Sequence, residues 1–357
     1  MLPYFLLFGL VMWMAMKRMR PQLLNNVSPK WGTRWQATFF LLVLLIGFRH
    51  EVGGDWLSYL DHIEMIKGEP FADFWLHGDP AYALLNWIGA NVFGGVYLSN
   101  LVSAIIFSWG LIAFCRAQPR PWLALLVAVP YLIVVVAMGY TRQSVAIGLA
   151  MLGLAALQNG SVLNFVLWIA CAALFHKTAV VLIPLAIFSG SKHRLIMLPG
   201  IAIAGAILYW LLLQESVEGL VAGYIEAEYQ SSGAAIRVAM NAFPATLFLL
   251  FRKKFPLDEN SRKFWTWISL GALGFVVLLV ATPSSTAVDR IALYWIPLQL
   301  FVWSRLPDAL GTPGKRNKIW VYLAIFYSAL VLFVWLFFAT HSYAWLPYKF
   351  YPLEMLF

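Results

Sequence analysis

"ATFFLLVLLIGFRHEVGGDWLSY", residues 37–59, carries an unbroken apolar run into Arg49 and then, by Asp55, two carboxylates and two glycines. A run of this kind, with polar groups only at its end, reads as a membrane helix reaching an interface. The rest of the chain repeats the pattern: of 357 residues 62% are hydrophobic and 11% charged, and the mean hydropathy is +0.76. Such a chain belongs in a bilayer, where backbone polar groups must be satisfied within helices or a closed barrel. The alternating pattern of barrel strands is absent, so the expected fold is all-α and polytopic.

Apolar runs of roughly 15 to 20 residues predict about twelve membrane helices, near 2–16, 35–48, 97–114, 122–138, 143–158, 161–175, 177–188, 195–213, 236–251, 264–281, 290–304 and 319–339. They form a single transmembrane domain over 1–357. The stretch 81–93, "AYALLNWIGANVF", is short and is read as an interfacial or re-entrant helix. The spans 161–175 and 177–188 are short too, which favours tilted or broken helices buried in protein. Met1–Met16 lacks a preceding basic region and a small-residue cleavage site, so it is expected to stay as the first helix.

The net charge of +9 suggests nucleic acid only if the basic residues form one patch. Instead they gather in the loops 17–34, 252–263 and 304–318, which the positive-inside rule assigns to the cytoplasm. The segments 50–80 and 214–235 and both termini then lie outside. The basic balance is topological, and no nucleic-acid partner is expected. Cys115 and Cys171 fall in or at the end of apolar segments and are expected to pack. His50, His62, His77, His193 and His341 offer no tight ligand spacing, so no metal or other cofactor is expected.

The cations left outside gather at helix ends: Arg49 after the second helix, Arg142 in "GYTRQSVAIG", His176 and Lys177 in "LFHKTAV", Arg237 before the ninth helix and Arg290 in "STAVDRIALYW". Snorkelling to headgroups is the ordinary fate of such arginines, but basic residues are scarce on this side. Several guanidinium forks converging at headgroup depth suit a lipid diphosphate. Asp289 beside Arg290, and Glu51 and Asp55 near Arg49, are competing internal partners. In 50–80 the acids Asp55, Asp61, Glu64, Asp73 and Asp79 interleave with Trp56, Tyr59, Phe71, Phe74 and Trp75, a composition suited to sugars and equally to an interfacial belt.

Taken in order, Arg49 with "VGGDWLSY", "GYTRQSVAIGLAMLGLAAL", "ALFHKTAVVLIPL", "DRIALYW" and the ending "WLPYKFYPL" resemble the EpsG-like family of Wzy-type polysaccharide polymerases. The resemblance implies a metal-independent glycosyltransferase of GT-C-like architecture in the cytoplasmic membrane. Its donor and acceptor would be undecaprenyl-diphosphate-linked oligosaccharides, the growing chain passing to the non-reducing end of a new unit. Membrane lipid, a flippase and a chain-length regulator of the same pathway are its implied partners. On matching positions it points to Arg49, Asp55, Tyr59, Arg142, Gln143, His176, Asp289, Arg290 and Tyr294.

Within that reading His176 is the expected base with Asp55 as its rival. Arg49, Arg142, Arg290 and Arg237 are the expected diphosphate clamp, and Trp56, Tyr59, Gln143, Asp289 and Tyr294 the expected sugar contacts. Three other activities fit parts of the pattern. A glycosyltransferase using a lipid monophosphate sugar would work through Asp55. An exopolysaccharide O-acyltransferase would work through His176. A flippase would need polar residues at the bilayer midplane, where helices 4, 8 and 12 are nearly clean.

Overall fold

The computed structural model describes residues 1–22, 30–188, 199, 206, 231, 233–282 and 285–356. Most of the expected span 195–213, His193 and most of the segment 214–235 lie outside them. The described chain is all-α apart from one short ribbon. Its helices are α1 (Leu2–Lys17), α2 (Thr33–Gly47), α3 (Trp56–Ile66), α4 (Pro80–Asn91), α5 (Gly95–Arg116) and α6 (Pro121–Ala128). There follow α7 (Thr141–Gln158), α8 (Val162–Phe175), α9 (Ala234–Phe251), α10 (Glu259–Ala281), α11 (Ser285–Ala292), α12 (Ile296–Leu310), α13 (Lys318–Phe338) and α14 (Tyr351–Glu354). Four of these, α5, α9, α10 and α13, are long and apolar enough to cross a membrane, and several shorter apolar helices accompany them, as a multi-pass membrane protein requires.

Two expected continuous spans are broken. The chain of α6 passes at Val129–Ala137 into a π-helical stretch, where Pro130 has no amide hydrogen to give the α ladder. The expected span 290–304 is α11, a 3-10 turn at Leu293–Trp295, and α12. The segment Lys177–Phe188 is 3-10 and contains Pro184, in keeping with a broken helix. The segment 50–80 is itself folded, into α3 and a 3-10 turn at Phe71–His77. The short helix read at 81–93 is α4, which packs on α3, α5, α8 and that 3-10 turn.

The core is built where α5, α7 and α8 pack side by side, with α2 on α5 and with α9 against α10 and α12. Small residues allow the closest approach: a Cβ added to Gly110 of α5 would lie 2.0 Å from the Gly148 carbonyl oxygen of α7. The contact is backbone on backbone, so neither helix can yield locally. Gly110→Ala should therefore cost about 1–3 kcal/mol of stability by overpacking, read as a lowered melting temperature in detergent.

Both ends of the bundle are polar. At one end Arg49–His50 (β1) pairs antiparallel with Lys349–Phe350 (β2), Arg49 opposite Phe350 and His50 opposite Lys349. The Tyr351 amide donates to the Phe48 carbonyl at 2.8 Å and the Gly53 amide to the Ala344 carbonyl at 2.8 Å, and Lys349 pairs with Glu51. The last sequence motif is thus laced to the first. Of the two glycines there, Gly53 has a φ of +107° and faces the Met138 carbonyl, where a Cβ would come within 2.3 Å, so it cannot carry a side chain. At the opposite end Arg120 forms a two-pronged pair with Asp308 at 3.0 and 2.8 Å, and Arg305 bonds Gln118.

Candidate functional site

Two acids begin helices at the first end, and neither does what an acid at that position usually does. Asp55 is the N-cap of α3 and Asp79 the N-cap of α4, with Pro80 following it, yet neither carboxylate accepts from its own helix's amides. An N-cap bond is worth about 1 kcal/mol, and Asp79 forgoes it for partners elsewhere. Its Oδ1 accepts the Lys177 amide at 3.1 Å, and its Oδ2 lies 3.2 Å from Arg142 Nη1 and 3.6 Å from His176 Nδ1. The residue is only 4% exposed. Burial pushes its carboxyl up, but His176, Arg142 and the Lys177 amide outweigh burial and hold it below the usual carboxylate value.

His176 ends α8 in an extended conformation, φ −156° and ψ 103°, which turns the chain across the mouth of the bundle. Burial pushes its imidazole below the ordinary value near 6.5, Asp79 opposes the shift, and the charges of Arg142 and Arg290 add to it. Arg142, in the first turn of α7, is 40% exposed with its guanidinium 5.9 Å from the Tyr82 ring centroid. Arg290, in α11, lies 4.3 Å over the Tyr140 ring and has no carboxylate partner among the described residues. Its carbonyl accepts from Gln143 Nε2 at 2.6 Å. Asp55 is half-buried; burial raises its carboxyl, against the nearby charges of Arg290 and Arg142. Helices α3, α4, α7, α8 and α11 thus bring Asp55, Asp79, Arg142, His176 and Arg290 to one place.

Other expected site residues fall elsewhere in the architecture. Arg49 is 0% exposed, and its guanidinium bonds neutral acceptors: the Ile46 carbonyl at 2.7 Å, Asn100 Oδ1 at 3.0 Å and Thr141 Oγ1 at 2.7 Å. It ties α2, α5 and α7 together and makes no bond to Asp55, which corrects both roles expected of it. Arg237 is held by Asp289 through a two-pronged pair of 2.6 and 2.7 Å, with Ser231 Oγ donating to the same carboxylate at 2.9 Å. That pair occupies the fork that the clamp would need. Neighbours on a helix point about 100° apart, so Asp289 can serve Arg237 while Arg290 faces Tyr140.

The expected sugar contacts Trp56, Tyr59, Gln143, Asp289 and Tyr294 are none of them more than 6% exposed. Tyr59 Oη accepts the Thr141 amide at 2.9 Å and so caps α7, and Tyr294 Oη is 3.2 Å from Thr178 Oγ1. They form the wall behind the site, and their burial corrects the expectation of direct contact. Arg237→Gln should leave the Asp289 charge unmatched and cost about 2 kcal/mol, below the 3–5 typical of a fully buried pair because both side chains retain some exposure, 12% and 7%. Adding Asp289→Asn should recover most of the loss in melting temperature.

Asp79 is the residue that the sequence placed only among the acids of 50–80, with no role of its own. In "HGDPAY" an acid directly before a proline carries the signature of a helix start, and nothing local says that its carboxylate is turned away. No three His, Cys, Asp or Glu side chains come together as a metal site among the described residues. A cavity of about 370 Å³ lined by Arg18, Gly32, Thr33, Arg34, Trp35 and Trp122 lies at the opposite end of the bundle.

An all-α protein with membrane-length helices and a cationic, histidine-bearing site at one end is the class that fold and site define. The chain belongs to the EpsG family, whose model matches residues 35–350. Membership implies a role in exopolysaccharide biosynthesis. No curated protein and no solved structure matches the chain.

Proposed function

We propose that this protein is a polysaccharide polymerase that joins undecaprenyl-diphosphate-linked repeat units at the outer face of the cytoplasmic membrane. In this reading the chain crosses the membrane about twelve times in a GT-C-like arrangement with both termini outside. The observation that carries it is a partly exposed Arg142 and an Arg290 without a carboxylate partner among the described residues, set beside a histidine whose imidazole burial pushes below its ordinary value. A lipid diphosphate is the ligand whose charge and depth match two such forks.

The acceptor sugar hydroxyl attacks the anomeric carbon of the donor chain. Its O–H bond breaks and the proton passes to His176. A new glycosidic C–O bond forms as the bond to the diphosphate breaks, and the electron pair leaves with undecaprenyl diphosphate. Arg142 and Arg290 stabilise the charge that develops on the leaving oxygen. Asp55, within reach of both arginine charges, orients the acceptor sugar. A flippase and a chain-length regulator of the same pathway would act before and after this step.

Product mass distinguishes the alternatives. A host lacking this protein should accumulate single lipid-linked units, and its return should give products spaced by one repeat unit. Spacing by one sugar would mean a monophosphate-sugar transferase, and a shift by one acyl group an acyltransferase. Because the His176 imidazole is depressed, the rate should hold from pH 8 through neutrality and fall only below the ordinary imidazole value near 6.5. A fall beginning above pH 7 would contradict a buried neutral base.

A further inference from the structure

Asp79 is nearly enclosed, yet its carboxylate makes no bond to the helix it begins and turns to partners on other elements. Three groups from three other elements meet on it: the Arg142 guanidinium of α7, the His176 ring at the end of α8, and the amide of Lys177, which opens the 3-10 segment. Gly78, directly before it, has a φ of +114°, a backbone conformation that favours glycine. A carboxylate on Nδ1 of a histidine fixes which ring nitrogen carries the hydrogen. The same carboxylate holds one prong of the arginine, and its other nitrogens make no hydrogen bond among the described residues.

We propose that Asp79 is the positioning residue of this site: it orients His176 through Nδ1, so that Nε2 is the proton acceptor, and it aims Arg142 at the leaving diphosphate. The inference rests on the polymerase reading above for its chemistry, but the His176–Asp79 coupling stands apart from the identity of the substrate. In the transfer step Nδ1 keeps its hydrogen toward Asp79, and Nε2 takes the proton of the acceptor hydroxyl. Asp79 touches neither sugar nor diphosphate. The 3.6 Å separation from Nδ1 is longer than a hydrogen bond, and the proposed role requires it to tighten as the imidazolium forms.

The charged groups facing His176 are Asp79 from the start of α4, Arg142 from α7, Arg290 from α11 and its own neighbour Lys177. Three are cations, so Asp79 is the one group among them that favours the imidazolium. Its removal has a definite sign: the imidazole becomes harder to protonate, and the acid limb of the rate profile moves to lower pH. That shift reports the carboxylate's charge beside the ring, whereas the tautomer reports whether the carboxylate sets which nitrogen carries the hydrogen.

The test uses full-length protein in detergent with carbon-13 and nitrogen-15 labelled histidine, the His176 signal being the one lost in His176→Gln. Wild type should show the Nδ1–H tautomer, and Asp79→Asn should lose that preference and titrate at lower pH. With a defined undecaprenyl-diphosphate-linked unit, Asp79→Asn should lower kcat about 100-fold with KM within threefold. Asp79→Glu, which keeps the charge, should recover part of the rate. An unchanged tautomer and titration in a folded Asp79→Asn protein would overturn the proposal, as would a rate within threefold of wild type. If wild type polymerises no cognate unit while the titration still follows Asp79, the polymerase reading falls and the positioning role stands. If Asp79→Asn does not fold, the wild-type tautomer decides: Nε2–H in wild type overturns the assignment.

Discussion

His176→Ala yields no polymer, and single lipid-linked units accumulate in its place. The expected loss is about 10² to 10⁴ in rate, the usual worth of a general base, and at the upper end it takes chain growth below detection. The residue is half-buried at the end of α8 and packs beside Asp79 without a hydrogen bond to Nδ1, so its loss opens a small space and breaks no ladder. The melting temperature should therefore stay close to wild type. Chains of normal length from His176→Ala would remove the histidine from the mechanism and leave Asp55 as the base.

The second large effect belongs to the arginines. Arg142→Lys and Arg290→Lys each keep the charge but replace a planar fork by a single ammonium point. Each should lower kcat by about 10² to 10³, the range for removing one preorganised donor from a developing oxyanion. The two should differ in a second readout. Arg142 also grips Asp79, so Arg142→Lys should disturb the His176 titration. Arg290 has no such bond, so Arg290→Lys should weaken binding of a short prenyl diphosphate and leave the histidine tautomer alone. Full activity in both variants would mean that charge alone suffices.

Most of the helices could be read from the sequence because apolar length is a one-dimensional property. The runs at 2–16, 35–48, 97–114, 236–251, 264–281 and 319–339 all reappear as helices. The interruptions at Val129–Ala137 and Leu293–Trp295 were not anticipated, because a buried helix keeps its apolar composition whatever its ladder does. The gathering of Arg142, His176 and Arg290 at one end was expected from the scarcity of cations in the loops that the charge pattern assigns to the outside. The choice of partners did not follow from it. Asp289 adjoins Arg290 in sequence but holds Arg237, and Arg49 has two acids close by but bonds neutral groups across α5 and α7. These are outcomes of helix rotation and packing, which no residue pattern encodes. Asp79 was hidden for the opposite reason, since its local pattern had a sufficient ordinary explanation.

The central claim is that this one chain joins lipid-linked repeat units using its own arginines and histidine. Purified protein should be incubated with a defined undecaprenyl-diphosphate-linked repeat unit, with chelator present and no nucleotide sugar, and the products resolved by size. The expected product is a ladder rising by whole repeat units with release of undecaprenyl diphosphate. Unchanged starting unit with the cognate substrate, or a ladder that vanishes only when metal is withheld, would contradict it.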